Sequence, residues 1–235
     1  MFVVGIVTTI LATTFHLIVR AADIDVPYLA GVLKMTASTG FLATAIAAGA
    51  FRSRAGAALF VGLVFSWFGD VFLIDSQYFL AGLISFFIGH VCYSVSFAMR
   101  KANIPVAAIA AVVLLVPGYF LSQWILPGVK DPGMKAPVIA YTCVISIMVA
   151  LAAGCLAQRG GRWVLAGAVL FYLSDIFVAR AAFVSPGFIN SLVGLPLYFG
   201  GQLLLAISIT SVAQPAPVDS IQNPQSEMQN EVPQN

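Results

Sequence analysis

Asp70, in the stretch FSWFGDVFLID, and Asp175, in LFYLSDIFVAR, are the residues of this sequence best placed to do chemistry, because each is an acid embedded in an apolar run. An ionisable group inside a bilayer costs at least ~2.5 kcal/mol on insertion scales unless it is paired or solvated in a cavity. Two carboxylates brought close together in a dry site cannot both ionise easily, so they divide one proton and become an acid beside a base. General acid/base hydrolysis needs that arrangement. The plainer role for the same residues is as polar anchors or inter-helix hydrogen-bond partners. Lys34 lies about two turns inside its own apolar run, where it either joins the acids or snorkels to the headgroups. His90 is a lone histidine in an apolar run, either a core hydrogen-bonding group or a contributor to the site. Tyr93, Tyr198 and Gln202 line a cavity or bridge helices, and Arg180 lies at a helix mouth where it can meet an anionic headgroup.

Other chemistries lack their residues. Cys92, Cys143 and Cys155 fall in apolar runs without CxxC or Cys/His spacing, so neither a disulfide framework nor a zinc site is expected. The sequence contains no GxSxG, HExxH, P-loop or CxxCH motif. Their absence removes the commonest nucleophilic, zinc, nucleotide and covalent-heme chemistries.

The elements that position the acids follow from composition. Of 235 residues, 60% are hydrophobic and 9% charged, far from the roughly 25% charge of a soluble domain. Apolar runs of membrane-spanning length predict helices at 2–19, 27–50, 55–74, 78–99, 104–122, 136–157, 163–180 and 189–213. The fold class is thus all-α, a polytopic membrane protein with eight transmembrane helices. The first run lacks a basic start and a small-residue cleavage site, so it reads as a permanent span. Residues 214–235 are rich in Pro, Gln and Asn and are expected to be a disordered tail. A net charge of +2 provides no basic field for nucleic acid. Arg52, Arg54, Arg100, Lys101, Arg159 and Arg162 fall in the even-numbered loops with no acid among them. The odd loops mix Arg20, Lys130, Lys135 and Arg180 with Asp23, Asp25, Asp75 and Asp131. The positive-inside tendency then puts the even loops and both termini in the cytoplasm. Compact loops suit a bacterial inner membrane.

An offset of 105 residues aligns Gly62 with Gly167, Asp70 with Asp175, Gly82 with Gly187, Gly89 with Gly194 and Tyr93 with Tyr198 without a gap. We read this as a four-plus-four duplication, about 1–103 and 104–213 within a transmembrane domain spanning 1–213. An even number of helices per repeat makes the halves parallel, so both aspartates are expected at one depth, facing each other.

The residues that carry this pattern also resemble the YhhN-type lysoplasmalogenases. The likeness joins Ser66, Gly69 and Asp70 to a downstream Gly89, His90 and Tyr93, then Ser174 and Asp175 to Tyr198 and Gln202, over roughly residues 27–210. The family's Lys-Pro early in span two is Lys34-Met35 in this sequence. The resemblance implies a membrane hydrolase that cleaves the vinyl-ether bond of lysoplasmalogens, releasing a fatty aldehyde and the glycerophospho-alcohol. It also implies that no metal or organic cofactor is required. On that reading Asp70 and Asp175 are the catalytic pair, and Tyr93, Tyr198 and Gln202 hold the ether oxygen or the water. His90 tunes the acid, Lys34 or Arg180 attracts the phosphate, and the alkenyl chain lies among phenylalanines. Ser66 and Ser174 belong to the motif and count as substrate-site candidates.

Two other classes share the paired acids. An intramembrane aspartyl protease would use Gly69-Asp70, although Trp67 stands where that family's first glycine belongs. A proton-coupled transporter would suit the parallel repeat and should show broken helices, for which Pro117 and Pro196 are candidates.

Overall fold

The computed structural model describes residues 1–24, 26 and 28–213, so the tail expected at 214–235 lies outside the described residues. Among the described residues every regular element is helical. Eight helices are long and apolar enough to cross a membrane. They are α1 (Phe2–Ala21), α2 (Leu29–Ala47), α3 (Arg54–Phe72), α4 (Phe79–Met99), α5 (Ile104–Ile125), α6 (Pro132–Gly154), α7 (Gly161–Phe183) and α8 (Phe188–Ser208), followed by a short α9 (Thr210–Ala213).

Local chemistry sets the ends. The Asp131 side chain accepts from the Gly133 amide at 2.8 Å with Pro132 at the first helical position, so α6 starts four residues before its expected 136. Ser53 caps α3 through the Gly56 amide, and Asn103 caps α5 through the Val106 amide. Tyr28 and Gly49, both with positive φ, bracket α2 and trim it at both ends. Helix α7 continues to Phe183, beyond the expected 180. Pro117 and Pro196 lie inside continuous α5 and α8, so neither proline breaks its helix.

Packing is strongest within the pairs α1/α2, α3/α4 and α7/α8, with α5 against α6. Across the bundle, α1 and α2 meet α8, and α4 meets α6. Lipid offers apolar side chains no hydrophobic gain from association, so close pairs rely on small residues that let backbones approach. At Gly167 a Cβ would come within 2.9 Å of the Gly201 carbonyl, and at Gly62 within 2.5 Å of the Tyr93 ring. The buried core joins Phe41, Leu63, Phe97, Met148, Phe171 and Leu205, which come from six helices.

Arg100 closes one end of the bundle. Its guanidinium donates to the Ser208 carbonyl and hydroxyl at 3.2 and 3.1 Å and to the Ser211 hydroxyl at 3.2 Å. This sets a cation on the negative end of the α8 dipole. Burial pulls Arg100 down to about 10, so it stays charged at neutral pH.

Adding a methyl at Gly62 should therefore overpack the fully buried Tyr93 ring and cost about 1–3 kcal/mol. The Gly62→Ala protein should unfold at lower temperature in detergent, whereas Gly118→Ala, with nothing within 4 Å, should unfold no earlier than the parent.

Candidate active site

Asp70 lies in the last turn of α3, where an anion opposes the negative end of the helix dipole. Its neighbours answer that cost. Lys34, from the second turn of α2, places Nζ 3.2 Å from Asp70 Oδ1 and donates to the Asp70 carbonyl at 3.3 Å. One ammonium thus neutralises the carboxylate and satisfies a carbonyl that the ending helix leaves open. Oδ2 accepts from the Ser38 hydroxyl at 2.5 Å and from the Tyr198 hydroxyl at 2.7 Å. Asp70 is almost fully buried, at 1% exposure.

Asp175 is served differently. Because α7 runs on to Phe183, this residue sits about two turns inside its helix, deeper than Asp70 sits in α3. Its Oδ2 lies 2.6 Å from the Tyr141 hydroxyl oxygen in a hydrogen bond, and His90 Nε2 lies 3.5 Å away. His90 Nε2 is 2.9 Å from the Tyr141 oxygen, and its Nδ1 is 3.3 Å from Met148 Sδ. The Asp175 carboxylate has no ammonium or guanidinium partner within ion-pair distance among the described residues, its one such contact being His90.

Both carboxylates line a single cavity of about 570 Å³. Lys34, Tyr141 and Tyr198 form part of its polar wall, and Phe79, Leu83, Phe86, Leu121 and Ile145 form part of an apolar one. Asn190 lies on the wall and accepts from Arg180 at 2.6 Å, and Arg180 also donates to the Ser185 carbonyl at 3.4 Å. Tyr198 is oriented edge-on by Phe41, Phe86 and Phe171, and Phe171 also packs against His90 with ring centroids 4.6 Å apart.

Of the residues expected in the site, Asp70, Asp175, Lys34 and Tyr198 reach the cavity. Tyr93 is buried behind that wall, where its hydroxyl bonds Ser66 at 3.0 Å and donates to Gln202 at 2.8 Å. Ser174 donates to the Phe171 carbonyl of its own helix at 2.7 Å. His90 reaches Asp175 chiefly through Tyr141. Ser38, Tyr141, Met148 and Asn190 were not anticipated. Ser38 follows Lys34 by one helical turn and so shares its face, a signal the sequence did carry. Tyr141 aligns with Thr36 under the 105-residue offset, so the repeat does not mark it.

The arrangement presents one carboxylate held beside a cation and a second held by a hydroxyl and an imidazole, on one partly apolar cavity. Such a site can keep an anion and a proton donor side by side.

The YhhN family model matches residues 29–209. Among characterised proteins the chain is similar to lysoplasmalogenase TMEM86A of Homo sapiens, 31% identical over 171 residues that cover 67% of each chain. It is similar to lysoplasmalogenase TMEM86B of Sus scrofa, 30% identical over 172 residues, 72% of this chain and 69% of that one. TMEM86A of Bos taurus is 28% identical over 165 residues, 67% of each chain. No solved structure gives a significant match.

Lys34→Met should leave a buried carboxylate without its counter-ion and destabilise the protein by about 3–5 kcal/mol. The double variant Lys34→Met/Asp70→Asn should regain a large part of that loss, read as recovery of the unfolding temperature in detergent. A double variant no more stable than Lys34→Met would show that the pair is not what holds this end of α3.

Proposed function

The chain belongs to the YhhN family, and from that membership we propose that it is a multi-pass membrane lysoplasmalogenase that hydrolyses the vinyl-ether bond of its substrate. The observation that carries this reading is the presence of two carboxylates with unlike partners on one largely apolar cavity.

A vinyl ether resists base and yields to acid. Asp175, lacking an ammonium or guanidinium partner among the described residues, is the general acid: it protonates the β-carbon of the alkenyl group and leaves an oxocarbenium ion. Asp70, held as an anion by Lys34, faces that developing charge from across the cavity and stabilises it. Water adds to the cationic carbon and passes a proton back to the Asp175 carboxylate, giving a hemiacetal. The hemiacetal then breaks its bond to the glycerol oxygen, which gains a proton as the hemiacetal hydroxyl loses one, and the aldehyde leaves. Acid/base assistance of this kind contributes typically ~10² to 10⁴ in rate.

Lys34 is occupied by Asp70, so Arg180, bonded to the cavity-lining Asn190, is the cation for the substrate phosphate. The alkenyl chain lies along Phe79, Leu83, Phe86 and Leu121, and the ether end meets the two acids. The even loops and both termini face the cytoplasm of a bacterial inner membrane. Neither the protease nor the transporter reading gains support: the relatives are named for lysoplasmalogen hydrolysis, and α5 and α8 are unbroken.

Purified protein incubated with a lysoplasmalogen should release trappable aldehyde, and an ester-linked lysophospholipid should give none. Asp70→Asn and Asp175→Asn should each lower kcat by about 100-fold or more while the protein still folds and inserts. Arg180→Gln should raise KM several-fold with kcat nearly unchanged. Normal turnover by both aspartate variants would refute the assignment.

A further inference from the structure

Asp175, Tyr141 and His90 form a chain whose protons can be counted. A tyrosine hydroxyl has one proton to give, and a neutral imidazole has one N–H and one bare nitrogen. Tyr141 lies 2.6 Å from Asp175 Oδ2 and 2.9 Å from His90 Nε2, so it can donate to only one of them and must accept from the other. The third link sets the direction. His90 Nδ1 faces Met148 Sδ at 3.3 Å, and a thioether can only accept, so Nδ1 carries its hydrogen. In the neutral ring Nε2 is then bare and takes the Tyr141 proton. Tyr141 has none left for Asp175, which must be protonated and donate to the tyrosine oxygen. When His90 instead carries both protons, Nε2–H donates to Tyr141, Tyr141 donates to Asp175, and Asp175 is a carboxylate.

The two states contain the same number of protons and differ by a concerted shift of two. One O–H bond at Asp175 and one at Tyr141 break while one forms at Tyr141 and one N–H forms at His90, and the tyrosine stays neutral throughout. We infer that Tyr141 and His90 are positioning residues that share one proton with Asp175 and hold it on the carboxyl until the alkenyl group takes it, with Met148 fixing the tautomer that allows it. The inference rests on the reading of Asp175 as the acid, and it makes the partner in proton sharing the imidazole of His90 rather than the other carboxylate. His90 is fully buried, and its ring is enclosed by Tyr93 of its own helix, Tyr141 and Met148 of α6, and Phe171 of α7. Lys34 and Asp70 line the same cavity as Asp175 and are the charged groups on its far side.

The sequence has two histidines, so nitrogen NMR of histidine-labelled protein in detergent can follow His90, with the His90→Gln variant identifying its signal. The neutral His90 ring should carry its hydrogen on Nδ1, and Met148→Leu should move that hydrogen to Nε2. In turnover assays Tyr141→Phe and His90→Gln should each lower kcat about tenfold to hundredfold with KM nearly unchanged, and the double variant should fall no further than the worse single one. A neutral wild-type ring protonated on Nε2, or losses that multiply in the double variant, would overturn the relay. Absence of aldehyde release by the wild-type protein would instead refute the enzymatic reading, and the tautomer measurement would still stand or fall by itself.

Discussion

A carboxylate at the C-terminal end of a helix buried in lipid is disfavoured twice, by the hydrocarbon and by the helix dipole, and Asp70 is tolerable only because Lys34 faces it. That ion pair dictates much of the surrounding structure. It needs α2 beside α3 with Lys34 and Ser38 on the facing side, and it needs α8 to deliver Tyr198 to the remaining oxygen. Buried pairs of this kind seldom add stability over an apolar replacement. On the proposed function, its use inside a bilayer is the upkeep of an anion where the cationic intermediate would form.

The asymmetry between the two acids follows from the helices that serve them. Asp70 draws an ammonium and two hydroxyls, and Asp175 draws one hydroxyl backed by an imidazole. Two like residues 105 positions apart thereby have unlike partners, which on the proposed function makes one an anion and the other a proton donor. Phe171 touches both Tyr198 and His90, so the orientations of the two partner sets are mechanically linked through one buried ring. The apolar residues beside them are, on the proposed function, the wall along which the substrate's hydrocarbon chain lies.

Eight helices could be read from run length alone, because a backbone in lipid has few other ways to satisfy its amides. Helix ends were less legible where a side chain decides them, as at Asp131, whose cap starts α6 early, and at α7, whose last turn continues past Arg180. Asp70, Asp175 and Lys34 were conspicuous as ionisable groups in apolar runs, and Tyr198 as a polar tip. Ser38 was readable in principle from its one-turn spacing to Lys34. Tyr141 and Met148 were not, since their roles depend on α6 meeting α4, a contact between residues more than 50 apart that no local pattern encodes. Conversely, Ser66 and Gln202 looked like site residues and instead brace Tyr93 behind the wall.

The most direct test of a fixed carboxyl acid is hydrolysis of a lysoplasmalogen in heavy water with immediate capture of the aldehyde. Protonation by Asp175 should place a single deuterium on the carbon next to the aldehyde, and on one face only, because the acid approaches the alkenyl group from one wall of the cavity. Product bearing deuterium on both faces equally, or none at that carbon, would contradict the account.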